Sequence, residues 1–78
     1  MKRHKLKIKP EYFNDVDRGV KNFELRKDGR GFEVNDIIIL KEYDNGAYTG
    51  RSVSRLIDYI LRDCPEYGLK EGYCILGF

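Results

Sequence analysis

Four consecutive aliphatic residues, Ile37-Ile38-Ile39-Leu40, form the longest apolar run in this sequence of 78 residues. The run is far too short to span a membrane. β-branched residues favour strands, and an unbroken apolar run is typical of a strand with both faces covered. We therefore predict a strand at residues 36–43 that is covered on both sides by the rest of the chain.

The other elements follow from periodicity and turn residues. Alternating apolar and polar residues near the N-terminus, with Leu6 and Ile8 on one face, predict a half-buried strand. Asn45-Gly46 is a strong hairpin signal. Residues 62–72, RDCPEYGLKEG, are predicted to form a loop with room for one helical turn. We predict five strands, at residues 4–9, 22–27, 36–43, 51–61 and 73–78, of which the fourth is long enough to bend.

One helix of two to three turns is expected between the first two strands. Pro10 fits its first position, where the missing N–H does no harm. Phe13, Val16 and Val20 follow helical spacing and form one apolar stripe. Gly19 is expected just after the helix in the left-handed conformation.

This order predicts an α+β fold that is mainly β, in a single domain covering residues 1–78. A small, strongly curved sheet or barrel, with the helix against one side, accommodates five strands and one helix. The helix stripe should pack on Leu6, Ile8, Phe23 and Leu25. The aromatic residues expected in the core are Tyr12, Phe13, Phe23, Tyr59 and Tyr73.

Charge is distributed unevenly along the chain. Residues 1–30 hold ten Lys/Arg and five Asp/Glu, so +5, and residues 31–78 hold five and eight, so −3, which gives the net +2. The basic half suggests an anionic partner. The alternative is a basic N-terminal segment that only aids solubility.

The remaining composition predicts no metal site and no cofactor. Cys64 and Cys74 match no metal motif, and His4 is the only histidine. We expect both cysteines to be reduced, with Cys74 in a buried strand. Residues 1–9 lack the apolar segment of a signal peptide, so a cytoplasmic location without membrane attachment is expected.

The stretch from Gly19 to Lys27, GVKNFELRK, carries the candidate site. Alternation places Glu24 and Arg26 on the strand face opposite Phe23 and Leu25. Lys21 joins them only if the chain is still turning after Gly19. Arg26 could bind phosphate in a bidentate manner or stack on a base, and Glu24 could hold it in place or accept from an exocyclic amine. The alternative is a surface charge cluster of little energetic weight.

Further binding candidates lie nearby in the sequence. Lys27 and Arg30 continue the basic stretch. Tyr43 and Tyr48 lie next to the predicted hairpin turn and could stack on bases. The full set of candidate nucleotide- or nucleic-acid-binding residues is Lys21, Glu24, Arg26, Lys27, Arg30, Tyr43 and Tyr48.

Several motifs together resemble a family of small prokaryotic and phage proteins grouped with the ASCH domains of the PUA-like superfamily. They are H-x-L-K-I, P-E-Y-F, G-x-K-x-F-E-L-R-K, Y-T-G-R, Y-I-L and G-Y-x-I-L, and they run through nearly the whole chain. The resemblance implies a PUA-like pseudobarrel of five or six strands. It also implies a cleft between the first helix and the barrel that binds RNA or a nucleotide, lined by Gly19, Lys21, Glu24 and Arg26.

The resemblance also implies an enzymatic alternative. Some ASCH-like proteins are amidohydrolases that act on N4-acylated cytidine through a Lys, a Thr and a Glu. Their Lys matches Lys21, but Glu24 stands where they have Thr, and their Glu lies in a helical insertion that this chain lacks. We therefore expect an RNA- or modified-nucleotide-binding module. The alternatives are an amidohydrolase using Lys21 and Glu24, or a protein-interaction or regulatory domain.

Overall fold

Two three-stranded sheets make up most of the molecule, and the computed structural model describes all of residues 1–78. In chain order the elements are β1 (Arg3–Ile8), α1 (Pro10–Asp17), β2 (Phe23–Lys27), β3 (Ile37–Asp44), β4 (Ala47–Leu56), β5 (Tyr59–Leu61), a short 3-10 turn (Pro65–Tyr67) and β6 (Tyr73–Gly77). The predicted mainly-β α+β class, with one short helix after the first strand, is confirmed.

The two sheets differ in strand direction. The first has the order β1-β3-β4, with β1 parallel and β4 antiparallel to β3. The second has the order β2-β6-β5 and is antiparallel throughout. No strand of one sheet pairs with a strand of the other, so the sheets do not close into one continuous ladder.

The core lies between the sheets and beneath the helix. It contains ten buried side chains from both sheets, the helix and two loops: Leu6, Ile8, Phe13, Val16, Phe32, Ile38, Leu40, Ile57, Cys74 and Leu76. Within β3, Ile38 and Leu40 are fully buried, whereas Ile37 and Ile39 are only partly covered. The expectation that both faces of this strand are covered is therefore met on one face only. On the other face, the β3 side chains lie beside lysines of β1 and serines of β4.

The end of α1 is fixed by a Schellman motif. Gly19 has a φ of 77°, and its N–H donates to the carbonyl of Val16. The N–H groups of Val20 and Lys21 both donate to the carbonyl of Asp15. This pattern is the one expected for a left-handed residue after a helix, and the role predicted for Gly19 is confirmed. The chain is still turning at Lys21, which β2 does not include.

The predicted hairpin turn is also present. Asn45 and Gly46 have φ values of 51° and 81°, as a type I′ turn between β3 and β4 requires. The single long strand predicted at residues 51–61 is instead two strands. Ile57 is buried between them, and at this point the chain leaves the first sheet and enters the second.

The prediction for the buried face of β2 is wrong. Phe23 and Leu25 are 48% and 55% exposed, whereas Glu24 is 4% exposed. The reason is the register with β6, in which Glu24 is opposite Leu76 and Arg26 is opposite Cys74. Those two β6 residues face the core, so their β2 partners face it as well. Lys21 and Arg26 neutralise Glu24 and so make its burial tolerable.

Other residues expected in the core lie at the surface. Val20 is 67% exposed because the Schellman turn directs it away from the helix stripe. Tyr12 and Tyr59 are also exposed, and Tyr73 is only partly buried. Of the aromatic residues predicted in the core, only Phe13 is fully buried. Phe32, which lies in a loop where no periodicity marks it, takes a core position that was not predicted.

A buried polar junction at Asp36 joins β1 to the loop before β3. The Asp36 carboxylate accepts from the backbone N–H of Lys2 at 2.9 Å, from the N–H of Glu33 at 3.0 Å and from His4 Nε2 at 2.9 Å. Because a carboxylate can only accept, Nε2 of His4 carries a proton. The hydrogen bond from His4 and those from the backbone lower the pKa of Asp36 to about 2.

Both cysteines are free and buried, and Cys74 lies in the buried strand position predicted for it, in β6. Burial raises the pKa of the Cys74 thiol, which favours its protonated form. The single α-helix is too short and too polar to cross a membrane. The cytoplasmic location expected from the sequence stays a prediction.

The left-handed turn at Gly19 leads to a first prediction. Gly19→Ala should lower the free energy of unfolding by about 1 to 2 kcal/mol, because a Cβ is strained at this φ although no atom lies close to it. Gly29→Ala is the matched control, since Gly29 has equally open surroundings and no left-handed φ. Urea denaturation measures both. Equal effects of the two substitutions would contradict the strain argument.

Asp36 leads to a prediction about acid stability. Its pKa falls from 3.8 to about 2 on folding, so its contribution is present above pH 3.8 and is lost as the pH falls towards 2. Asp36→Asn should therefore be less stable than wild type at neutral pH, and the difference should shrink across this window. Urea midpoints measured at several pH values give the comparison. Glu66→Gln, at an exposed position, should follow the wild-type profile.

Candidate functional site

A cleft of about 490 Å³ lies where the helix meets the edges of β1 and β2. Its walls come from the end of β1, the first turn of α1, the turn after the helix and most of β2. The lining residues are Lys7, Lys9, Tyr12, Lys21, Phe23, Glu24, Leu25 and Arg26. The three residues singled out from the sequence, Lys21, Glu24 and Arg26, therefore come together in one cleft.

Glu24 is at the centre of the polar wall. One carboxylate oxygen, Oε1, accepts from the ammonium of Lys21. The other, Oε2, accepts from Nε of Arg26 at 3.0 Å. The side chains of Glu24 and Lys21 are 5% and 17% exposed, so this triad is largely shielded from water. Both oxygens therefore accept charge-assisted hydrogen bonds from cations.

Lys21 lies between two aromatic rings. Its Nζ is 5.3 Å from the centre of the Tyr12 ring and 5.0 Å from that of Phe23. It also donates to the backbone carbonyl of Phe23 at 2.9 Å. The Schellman turn at Gly19 makes this position possible, because it directs the chain back over the helix before β2 begins.

Arg26 links the two sheets as well as pairing with Glu24. Its Nη2 donates to the backbone carbonyl of Lys7 at 2.5 Å. Arg30 makes a parallel contact, from Nη1 to the carbonyl of Lys5 at 2.9 Å. Both carbonyls lie on the edge of β1 that faces away from β3. The two arginines therefore occupy hydrogen-bonding positions that a neighbouring strand would otherwise fill.

The cleft carries an excess of positive charge. Four cations, Lys7, Lys9, Lys21 and Arg26, face one carboxylate, Glu24, so the lining has a formal charge of +3. The ammonium groups of Lys7 and Lys9 make no hydrogen bond or salt bridge within the protein. Nη1 of Arg26 is likewise unpaired. These N–H groups can therefore donate to an anionic ligand without disturbing the triad of Lys21, Glu24 and Arg26.

The other predicted binding residues lie outside this cleft. Lys27 is on the exposed face of β2 and is opposite Tyr73. Arg30 contacts β1, as described above. Tyr43 and Tyr48 face each other across the β3–β4 hairpin, with ring centres 5.1 Å apart and nearly perpendicular planes. Lys7 connects this pair to the cleft, since its Nζ is 4.3 Å from the centre of the Tyr43 ring.

A second buried ion pair, at Glu42, lies on the other side of the helix. Glu42 accepts from Arg51 at 2.9 and 2.7 Å and from the Thr49 hydroxyl at 2.6 Å. The hydrogen bonds from Arg51 and Thr49 lower the pKa of Glu42 to about 2. Arg51 also contacts α1, through Asn14 at 2.9 Å and the face of the Phe13 ring.

Sequence reasoning gave Glu42 no role. The sequence feature that could have indicated this cluster was the Y-T-G-R stretch, which places Thr49 and Arg51 on the strand paired with β3. Predicting the cluster required the irregularity between Lys41 and Tyr43, where the register with β4 shifts by two residues. The cluster holds the helix against the first sheet and so fixes one wall of the cleft.

This arrangement suits recognition of an anion with a planar or apolar part. Free ammonium groups are available for the negative charge, and Tyr12 and Phe23 supply aromatic surface. No three His, Cys, Asp or Glu side chains come together in a way that would hold a metal ion.

Comparison with known proteins finds one family model and one similar phage protein. Residues 3–78 match the model of a domain of unknown function, DUF3850. An uncharacterised 12.9 kDa protein encoded in the GpA 3′ region of Escherichia phage P2 is 41% identical over 56 residues, which is 72% of this chain. The aligned segment spans about half, 51%, of the phage protein. Because the family model covers almost every residue, the chain belongs to the DUF3850 family.

Proposed function

We propose that this protein binds a nucleotide or a short single-stranded RNA in the cleft between α1 and the two sheets. The phosphate contacts the ammonium groups of Lys7 and Lys9 and the free nitrogen of Arg26. The base packs against Tyr12 or Phe23 at the mouth of the cleft. Glu24 keeps Lys21 and Arg26 in position and, through its remaining lone pairs, can accept from an exocyclic amine.

One observation carries this proposal: the cleft combines a formal charge of +3 with two aromatic walls. A charge cluster that served only solubility would be solvated and dispersed, whereas this one lines a concave surface. The volume of about 490 Å³ is in the range of small-molecule sites, so one nucleotide fits. Phosphate and base are the ligand groups that match ammonium donors and aromatic faces respectively.

We further propose that the fold is an open version of the ASCH-type, PUA-like pseudobarrel. Three features support it: a helix directly after the first strand, a cleft beside that helix, and six strands in two sheets around one core. The G-x-K-x-x-E-x-R motif supplies the cleft residues Lys21, Glu24 and Arg26. On this proposal the gap between β1 and β2 is where the pseudobarrel stays open.

Lysine substitutions test the binding mode. Lys9→Ala should weaken binding of a labelled oligoribonucleotide roughly tenfold, because a charge-assisted phosphate contact is lost. The slope of log affinity against log salt should fall by about one. Lys5→Ala is the matched control, since Lys5 is an exposed lysine of the preceding strand, β1, and lies outside the cleft. Fluorescence anisotropy at several salt concentrations gives both numbers. Equal effects of the two substitutions would indicate a diffuse electrostatic surface.

An aromatic substitution separates nucleotide recognition from plain phosphate binding. Tyr12→Ala should weaken nucleotide binding by about 1 to 3 kcal/mol, the range for base stacking, and leave binding of inorganic pyrophosphate unchanged. Tyr12 is 47% exposed, so its truncation should not unfold the protein. Isothermal titration calorimetry with both ligands makes the comparison. Loss of both affinities together would argue against a base-binding role for the ring.

The same geometry predicts little or no hydrolysis of N4-acetylcytidine. Amide hydrolysis needs groups to activate water and to protonate the leaving group, and Glu24, which already accepts from two cations, is the only carboxylate in the cleft. A nucleoside assay by chromatography should therefore show no turnover above the buffer control. Robust turnover that disappears in both Lys21→Ala and Glu24→Gln would establish the amidohydrolase alternative. Binding of neither nucleotide nor RNA would favour a protein-interaction domain.

A further inference from the structure

Two lysines and two tyrosines lie together on the outer face of the first sheet. Tyr43 and Tyr48 are opposite each other in the β3–β4 hairpin, and Lys7 and Lys41 are opposite each other on β1 and β3. Nζ of Lys41 is 4.7 Å from the centre of the Tyr48 ring, and Nζ of Lys7 is 4.3 Å from that of Tyr43. We call these four residues the hairpin cluster. The cleft proposal uses only Lys7.

The two lysines of the hairpin cluster form an unfavourable pair in the free protein. Like charges opposite each other on neighbouring strands destabilise a sheet. The acidic residue next to Lys41 in β3 is Glu42, but its side chain is buried on the inner face and is bonded to Arg51. Neither ammonium group forms a salt bridge. Two opposed and unpaired cations are an arrangement that an anionic ligand would stabilise.

The hairpin cluster adjoins the cleft. Lys7 belongs to both, because its side chain lines the cleft and its Nζ is also 5.9 Å from the centre of the Tyr48 ring. β1 runs parallel to β3, so the end of β1 that borders the cleft is beside the end of β3 that leads into the hairpin. Ser52, opposite Lys41 on β4, adds a hydroxyl group to the same row. A ligand that extends out of the cleft over Lys7 therefore reaches the hairpin cluster.

We infer that the hairpin cluster is a second subsite, and that the ligand is a single-stranded oligonucleotide rather than a mononucleotide; this inference rests on the function proposed above. One phosphate lies between the ammonium groups of Lys7 and Lys41 and offsets their repulsion. The adjoining base stacks on Tyr48, which is 52% exposed, whereas Tyr43 is partly buried beside it. Since an ammonium group has three N–H donors, Lys7 can also contact the phosphate in the cleft.

The composition of the hairpin cluster favours a single strand over other polyanions. Basic side chains next to exposed aromatic rings are typical of proteins that bind single-stranded nucleic acids, because each nucleotide has a phosphate for the cation and a base for the ring. A paired helix keeps its base faces stacked and out of reach. The repeating unit of an acidic peptide carries charge but no ring. Only a single strand therefore uses both kinds of side chain.

Ligand length tests the inference. Uridine monophosphate occupies the cleft alone, whereas the dinucleotide pUpU also reaches the hairpin cluster. Wild-type protein should bind pUpU roughly tenfold more tightly, because one further base is stacked. Isothermal titration calorimetry measures both affinities. Equal affinities for the two ligands would overturn the inference and leave the cleft proposal intact.

Two substitutions show whether the gain in affinity comes from the hairpin cluster. Tyr48→Ala and Lys41→Met should each remove most of the gain for pUpU and leave the affinity for uridine monophosphate unchanged. Lys70→Met is the matched control for Lys41, because Lys70 is an exposed lysine whose Nζ is 5.4 Å from the centre of the Tyr73 ring. Tyr59→Ala, at a strand tyrosine of the second sheet that is 63% exposed, is the control for Tyr48. Equal losses in the controls would overturn the inference.

Thermal unfolding of Lys41→Met separates a binding role from a structural one. The melting temperature of the free protein should stay the same or rise, because one of two opposed charges is removed and the methionine side chain keeps its contact with Tyr48. A lower melting temperature together with a loss of pUpU binding would assign Lys41 to the fold and overturn the inference. If Tyr48→Ala does not fold by circular dichroism, Tyr48→Leu takes its place, since leucine keeps an apolar contact with Tyr43 but has no ring.

Failure of the cleft proposal gives a different result. In that case uridine monophosphate does not bind, and Lys9→Ala and Tyr12→Ala leave pUpU binding unchanged. Binding of pUpU that still depends on Lys41 and Tyr48 would then establish the hairpin cluster as a site in its own right. Binding of neither ligand would overturn both proposals.

Discussion

The unpaired edge of β1 determines the shape of this molecule. Its Lys5 and Lys7 carbonyls face the second sheet, but no strand is close enough to pair with them. Arg30 and Arg26 reach across and donate to them instead. A guanidinium on a long side chain spans a wider gap than a backbone N–H, and its planar fork can bind two acceptors at once. The two arginines therefore connect the sheets across the gap without closing it, and the space that remains is the cleft.

The cations of the cleft consequently divide into two kinds. Arg26 and Lys21 are committed to Glu24 and to backbone carbonyls, so removing either affects the fold as well as any ligand. Lys7 and Lys9 have ammonium groups free for an incoming anion. Glu24 makes this division possible, since its charge offsets the repulsion between two neighbouring cations in a poorly hydrated site. A site held together in this way is preorganised before a ligand arrives.

The sequence was sufficient for features that depend on neighbouring residues. Local signals influence only a few neighbouring residues, as at Pro10, Gly19 and Asn45-Gly46. The helix, its end and the hairpin were therefore predicted correctly. The grouping of Glu24 with Arg26 also followed from local spacing, whereas Lys21 was added to them by the family resemblance. The buried face of β2 was not predictable in this way, because the register with β6 decides it and apolar alternation pointed to Phe23 and Leu25. The Glu42 cluster depended on an irregularity in β3, and Phe32 on the path of a loop.

The strand order has a consequence for how the protein folds. β3 and β4 are joined by a two-residue turn, and hairpins of this kind form within microseconds. In the second sheet, β2 has no partner strand close to it in the sequence. It pairs only with β6, the last strand of the chain. Pairing over this distance is slow, because the entropy of closing a long loop must be overcome first. β2 becomes a fixed wall of the cleft only when Tyr73–Gly77 pairs with it, so binding in the cleft requires this long-range pairing to be complete.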